Sequence, residues 1–263
     1  MIFFDKPYVL GWTVSLFSSL WRFIRSWATF SVSFLCRKSE LSDNRFECLW
    51  RDRWPCLSDA TSKTGFDAHY LYHTAWAARI LAQSRPSRHV DIGSCLRFAT
   101  LVSAFVPTDF YDYRPAVVSL SGLNCKQANL LHLPFGEASI SSLSCMHVVE
   151  HVGLERYGDP FAPQGDLKAM KELQRVLAPS GRLLFVVPVG GKALIQYNAH
   201  RIYTFEMILS YFNELKLQTF SLVTDSGKFI EQATSEDAGN QMYGCGCFYL
   251  QKVNPAEKTA NSN

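Results

Sequence analysis

From residue 89 onward, short apolar runs alternate with amphipathic stretches, the pattern of a sheet whose strands are joined by helices. His89–Ile92 predicts a buried strand, the stretch from about Leu96 to Phe105 a helix, and Thr108–Tyr111 a second strand ending at Asp112. Cys125–Leu130 and Ile140–His147 predict the third and fourth strands. Leu167, Met170, Leu173, Val176 and Leu177 recur at helical spacing behind Asp166, a residue suited to cap that helix. Pro179-Ser180-Gly181 breaks the pattern, and the run RLLFVVPV over Arg182–Val189 is apolar enough for a central parallel strand covered on both faces. A loop holding Asn198, His200, Arg201 and Tyr203 leads to a helix over Thr204–Leu215 and strands near Leu217–Thr224 and Gly244–Gln251.

Upstream, Tyr70, Leu71, Thr74, Ala77, Ala78 and Leu81 predict a helix that starts at Asp67 and ends near Arg85-Pro86. His69, Tyr70, His73 and Trp76 give it more polar aromatics than a core face requires. They suit a substrate pocket, with Tyr70 and His73 as binding candidates, or a half-buried helix face. Residues 46–66 lack a period and read as an ordered, aromatic-rich linker.

Residues 7–36 carry Trp12, Leu16, Leu20, Phe23, Ile24, Trp27 and Phe30 on one helical side and Ser15, Ser19, Arg22 and Ser26 largely on the other. The uncharged run from Pro7 to Trp21 is 15 residues, short of the ~20 needed to span a bilayer. No basic region precedes it and no small-residue cleavage site follows, so a secretory signal is not expected. Two occupants fit this face: a membrane surface, as a peripheral contact through residues 7–36, or a protein surface that the helix caps. The division expected is an amphipathic aromatic extension over residues 1–45, the main α/β domain over 46–252, and a frayed, disordered polar tail over 253–263.

Composition changes this picture little. Hydrophobic residues make up 48% and charged residues 19% of 263, enough for a large core and too apolar for wholesale disorder. The net charge of +3 lies within the first 45 residues, where six basic residues face three acidic ones; the remaining 218 residues balance. No nucleic-acid partner is therefore expected for the main domain. Eight cysteines are scattered without a CxxC pair or a Cys/His zinc spacing, so a reducing, cytoplasmic setting and no metal cofactor are expected. Cys245 and Cys247 would share one strand face, for packing or for metal or redox chemistry.

Three constellations carry candidate chemistry. In the first, Val90-Asp91-Ile92-Gly93-Ser94 places a glycine directly after a buried strand, and Asp112 follows at the end of the next. That order lets backbone N–H groups approach a ligand, while an acidic side chain accepts both ribose hydroxyls of an adenosine cofactor. Cys95, Leu96 and Arg97 stand where further glycines would admit a pyrophosphate. A cofactor without phosphates is favoured, and S-adenosylmethionine meets that description.

The order of VDIGS, FYDYRP, ANLLHLPFGEASISSLSCMHVVEHV and ELQRVLAPSGRLLFVVPVG resembles the class I S-adenosylmethionine-dependent methyltransferases. From about Trp54 to Phe248 the chain is most similar to an uncharacterised group of that superfamily, the domain of unknown function numbered 268. DRWPCLSDATSKTGFD, YHTAWAARIL, SCMHVVEHVGLERYGDP, NAHRIY and YGCGCF carry that narrower likeness. The resemblance implies a Rossmann-like, mostly parallel seven-stranded sheet with helices on both faces and an antiparallel C-terminal hairpin. It places Asp91, Gly93 and Ser94 beside the methionine part of the cofactor, and Asp112 with Tyr113 at the ribose. Asn129 and Leu130 would lie near the adenine, and Met146 and His147 beneath the sulfonium. Asn129 stands where an acidic residue is commoner.

The second constellation is His147, Glu150 and His151, whose H-x-x-E-H spacing also belongs to one class of zinc proteases. The third joins Tyr157, Gly158 and Asp159 to Asn198, His200, Arg201 and Tyr203 at the carboxyl ends of strands. Methyl transfer needs an in-line nucleophile and, where that nucleophile carries a proton, a base. His147, His151, Asp159 and His200 are the catalytic candidates, and Tyr157, Asn198, Arg201 and Tyr203 join the substrate-binding ones. The expected function is O- or N-methylation of a small molecule or glycan precursor. The alternatives are a catalytically silent binding or scaffolding fold, motivated by the missing glycines, and, more distantly, a metalloprotease.

Overall fold

The computed structural model describes residues 8–254 except residue 44, with side chains described from residue 19 onward. The side chains of Trp12, Ser15 and Leu16, and residues 255–263 of the tail, lie outside the described residues.

The chain divides into two compact units, the first ending at Gly65 and the second beginning at Phe66. In the first, helix α1 runs Tyr8–Leu41, five residues beyond the predicted stretch. Leu20, Phe23, Ile24, Val32 and Leu35 are exposed along it. Trp50, in a single 3-10 turn, sits edge-on to Phe34 with ring centroids 5.0 Å apart. Among the described residues no helix is long and apolar enough to cross a membrane.

The second unit is built on one sheet. Helix α2 (Ala68–Ser84) is followed by β1 (His89–Ile92), α3 (Leu96–Val102), β2 (Thr108–Asp112), β3 (Leu123–Gln127) and β4 (Ile140–Met146). Then come α4 (Gly165–Val176), β5 (Leu177–Val189), the hairpin β6 (Leu194–Gln196) and β7 (His200–Ile202), and α5 (Phe205–Tyr211). The chain closes with β8 (Leu215–Val223), β9 (Phe229–Ile230), α6 (Ser235–Gly239) and β10 (Gly244–Lys252). The strand order is β3-β2-β1-β4-β5-β10-β8-β9. β1 to β5 are mutually parallel, whereas β10 runs antiparallel to both β5 and β8.

The expected seven strands are present, and β9 adds an eighth at the edge. Two residues are too few to show a period, so sequence patterning does not detect it. β5 is buried on both faces, as its apolar run requires. One face packs Phe185, Val187 and Leu143 with Leu173 of α4 and Phe212; the other packs Leu184, Val186 and Met146 with Trp76 and Leu81 of α2. Each such fully buried side chain contributes about 1.5–3 kcal/mol of burial free energy.

Three local expectations need correction. Asp166 does not cap α4: Gln164 holds that position, and the Asp166 carboxyl instead accepts the Tyr203 hydroxyl at 3.0 Å. β3 starts and stops earlier than predicted, leaving Asn129 and Leu130 in the loop after it. Pro179-Ser180-Gly181 falls inside β5, where Ser180 takes a φ of +58° and the pairing with β4 slips.

Candidate functional site

The five parallel strands end along one edge of the sheet, the edge where open α/β folds hold their ligands. A cavity of about 300 Å³ opens there, at the small end of the range for small-molecule sites, about 300–1,000 Å³. β1 and β2 deliver its first wall, since Ile92 pairs in register with Tyr111. Gly93 then turns the chain with a φ of +68°. A Cβ there would meet Val148 at 3.2 Å, so both the conformation and the space call for glycine.

Ten of the predicted cofactor and catalytic residues line this cavity: Gly93, Ser94, Asp112, Tyr113, Asn129, Leu130, Met146, His147, His151 and Asp159. Tyr70 and Tyr157, two of the substrate candidates, line it as well. Asp112 Oδ1 accepts the Arg114 amide at 2.7 Å, while Oδ2 meets no protein donor among the described residues. Asn129 uses its Oδ1 to accept the Leu131 amide at 2.9 Å.

Asp91 does not line the cavity. It is completely buried, its Oδ1 accepts the Ser94 amide at 3.1 Å, and its Oδ2 accepts the Ser144 hydroxyl. Ser144 in turn accepts from His89 Nε2 at 2.9 Å, and His89 Nδ1 accepts the Ser142 hydroxyl at 2.8 Å. Ser94 Oγ accepts the Met146 amide at 3.0 Å, which ties the β1 turn to β4. Burial pushes the Asp91 carboxyl up to about 7, against the hydrogen bonds from Ser144 and Ser94 that lower it, and burial drives His89 down to about 3.

Five other candidates also stand away from the cavity lining. Arg201 is buried and spends its guanidinium on the carbonyls of Val152 at 2.8 Å, Pro163 at 3.2 Å and Glu150 at 3.3 Å. Tyr203 is buried on Asp166. Asn198 is exposed in the β6–β7 hairpin. His200 stacks on Tyr243 with centroids 4.8 Å apart, and its buried Nε2 has no hydrogen-bond partner among the described residues. His73 is fully buried on α2, its Nδ1 bonded to the His69 carbonyl at 2.7 Å.

The H-x-x-E-H stretch does not form the helix a zinc protease needs. Its residues span the end of β4 and a single 3-10 turn, Val149–His151. His147 takes a φ of +56°, a conformation that costs a non-glycine residue about 1–3 kcal/mol. Its Nδ1 lies 2.8 Å from Glu150 Oε1 and its Nε2 lies 3.3 Å from Cys245 Sγ. Burial opposes a charge on His147, but the Cys245 sulfur and the Glu150 carboxyl more than offset it, and the imidazole is raised above its ordinary value.

His151 is arranged differently. Its Nδ1 donates to the Ala199 carbonyl at 2.6 Å, a carbonyl that Arg156 also reaches at 2.8 Å. That pairing fixes the proton on Nδ1 and leaves Nε2 as an acceptor. Burial, together with Arg156 and His147, lowers the ring below its ordinary value despite Glu150. Asp159, by contrast, is occupied within its own loop, accepting the Gly153 amide at 2.6 Å and the Tyr157 amide at 3.3 Å.

Sequence reasoning did not single out Arg114, which lines the cavity and lies over the Tyr157 ring at 4.7 Å. Its signal was its place two residues after Asp112, in the turn that Asp112 closes. Tyr70 stacks on His147 with centroids 5.5 Å apart, and burial pushes its phenol up to about 12.

A sequence search of curated proteins finds no match. Among solved structures, one from Galdieria sulphuraria, described as a "putative sarcosine dimethylglycine methyltransferase", matches at TM-score 0.50 and 15% identity over 70% of this chain and 86% of that one. The 1,6-didemethyltoxoflavin-N1-methyltransferase of Burkholderia thailandensis, solved with 1,6-didemethyltoxoflavin and S-adenosylhomocysteine, matches at TM-score 0.49 and 14% identity over 70% and 79%. The likeness to the first is one of fold: a Rossmann-like, mostly parallel sheet with an antiparallel end. In sequence, residues 132–248 match the family described as Caenorhabditis protein of unknown function, DUF268.

Proposed function

We propose that the cavity holds S-adenosylmethionine and that the protein transfers a methyl group to an oxygen or nitrogen of a small-molecule or glycan-precursor acceptor. The observation that carries this reading is the Asp112 carboxyl at the end of β2, whose uncommitted Oδ2 stands in the cavity wall beside Gly93. An acceptor in that place suits the two hydroxyls of a ribose. Ile92, Leu130 and Met146 supply the apolar surface an adenine requires. The fold likeness to the Galdieria protein supports the same reading.

When bound, the cofactor supplies an electrophilic methyl group, which an acceptor lone pair takes as the carbon–sulfur bond breaks. An acceptor that carries a proton must then lose it. His151 is the base we assign: its Nδ1 proton is pinned on Ala199, which leaves Nε2, 3.7 Å from Glu150 Oε1, as the acceptor, and its lowered pKa keeps it neutral near pH 7. Tyr70 and Tyr157 flank the acceptor's approach, and Asp159 holds the loop on which Tyr157 sits. Asp91 serves as a positioning residue that sets the Gly93-Ser94 turn from beneath.

The test is incubation with methyl-labelled S-adenosylmethionine and a panel of hydroxylated and amine-bearing small molecules, sugars included. Label in an acceptor, abolished in His151→Ala, supports the reading. Cofactor binding with no transfer to any acceptor favours the silent scaffold that the absence of glycines at Cys95, Leu96 and Arg97 suggests.

We further propose a cytoplasmic setting with peripheral membrane contact through residues 7–36, supported by the exposed Leu20, Trp21, Phe23 and Ile24 on α1. The protein should sediment with anionic liposomes and cease to do so without residues 1–40. Equal sedimentation of the two forms would contradict it.

A further inference from the structure

Three side chains from three separate elements meet beside the cavity: His69 in the first turn of α2, His147 just past the end of β4, and Cys245 in β10. His147 Nε2 lies 3.3 Å from Cys245 Sγ, and one donor atom from each of the three residues lies within 4.8 Å of the others. A tetrahedral zinc ion, with nitrogens at about 2.0–2.1 Å and sulfur at about 2.3 Å, spaces its donor atoms by roughly 3.3–3.6 Å. The His147–Cys245 pair already has that spacing, and His69, half-buried and stacked on His147, needs only a small shift.

Two independent observations point to a ligand at this trio. His147 is held through its Nδ1 by Glu150, which turns Nε2 toward the sulfur. A carboxyl group behind an imidazole is the usual means of orienting a metal-bound histidine. In addition, Glu150 and His73 are both completely buried, and Glu150 Oε2 and His73 Nε2 have no hydrogen-bond partner among the described residues. Buried polar atoms left unpaired are costly, and a bound ion nearby is one of the standard reasons they persist. Spacing along the chain cannot reveal the trio, because its members lie in separate elements.

We infer that His69, His147 and Cys245 bind a divalent ion of the zinc class, with Glu150 orienting His147 and the fourth position left open. One thiolate and two imidazoles suit zinc and disfavour magnesium or calcium. On binding, the Cys245 thiol proton and any proton on His147 Nε2 leave to solvent, one metal–sulfur and two metal–nitrogen bonds form, and no group is oxidised or reduced. A divalent ion also offsets the charge of the thiolate and of the buried carboxyl group behind His147. The inference does not rest on the cofactor reading, and either can fail alone.

The test is a titration of the full-length protein with Co²⁺ in the absence of any cofactor. One equivalent should produce a sulfur-to-cobalt charge-transfer band with the intense visible bands of a tetrahedral site, and Zn²⁺ should bleach both. Cys245→Ala should abolish the charge-transfer band. His69→Ala, a half-buried position, should weaken binding at least ~10-fold, and Glu150→Gln should weaken it by ~10–100-fold. Cys48→Ala, remote in sequence and only part-buried, should change nothing. No charge-transfer band, or a band that survives Cys245→Ala or keeps its affinity in His69→Ala, would overturn the inference.

Discussion

Asp91 Oδ1 accepts the backbone amide of Ser94 at 3.1 Å, so this carboxyl faces into the sheet and the loop it supports, rather than its own oxygens, meets the cavity. The group is completely buried, and burial raises its pKa to about 7 from the ordinary carboxylate value of 3.8. Between those values the folded chain keeps a proton that the unfolded chain releases, so this group's contribution to stability falls as pH rises from about 4 to 7 and is constant above 7. Asp91→Asn removes that slope. The stability of the variant relative to the parent, followed by denaturant melts, should therefore improve with rising pH up to about 7, by on the order of a few kcal/mol. His89 acts with the opposite sign: lowered to about 3 from 6.5, it adds stability above about 6.5 that is lost as pH falls. The variant isolates the Asp91 part; a difference independent of pH would contradict it.

Gly93→Ala should cost stability and ligand together. The position holds a φ of +68°, and the new methyl group meets Val148 Cγ1 at 3.2 Å with Asp112 Oδ2 at 3.8 Å. We expect a loss above about 1 kcal/mol and weaker S-adenosylhomocysteine binding by calorimetry. Unchanged stability with unchanged affinity would mean that the turn is not what shapes the cavity wall.

Tyr203→Phe separates support from binding. The hydroxyl donates to Asp166 in a buried pair, so its removal should cost about 1–3 kcal/mol and leave cofactor affinity within about two-fold. A large loss of affinity at full stability would return Tyr203 to the binding surface.

These three positions also show what the chain's pattern makes readable. The alternation of apolar runs makes the parallel strands themselves readable, because a run such as Leu183–Val189 is apolar enough to need cover on both faces. Gly93 and Asp112 are legible for the same reason: each closes a strand at the edge where the ligand face lies. Asp91, Arg201 and Tyr203 have the composition of site residues but are turned inward by partners far along the chain, Ser144 for the first, and the Val152 and Pro163 carbonyls and Asp166 for the others. No local pattern encodes those long-range partners. Arg114 escaped notice for the opposite reason, since an arginine in an exposed turn looks like any solvated charge until Tyr157 is brought beneath it. Likewise, His147 and Cys245 are 98 positions apart, and only the return of β10 to the middle of the sheet unites them.

His151→Ala should leave S-adenosylhomocysteine binding within a few-fold, since the assigned role is proton removal from the acceptor. Once an acceptor is in hand, turnover should fall by about 10²–10⁴-fold. Above its lowered pKa the parent should hold a constant rate and lose it as pH falls below that value, because a protonated Nε2 cannot accept. Retained turnover in the variant would reassign the base.

The central claim is that Asp112 grips an adenosyl ligand at the end of β2, and calorimetry of the purified protein with S-adenosylhomocysteine, beside its Asp112→Ala variant, tests it most directly. We predict saturable binding to the parent that weakens about 10–150-fold in the variant, the effect of losing hydrogen bonds to a charged acceptor. No heat with the parent at high micromolar concentration, or equal affinity in both proteins, would contradict the account.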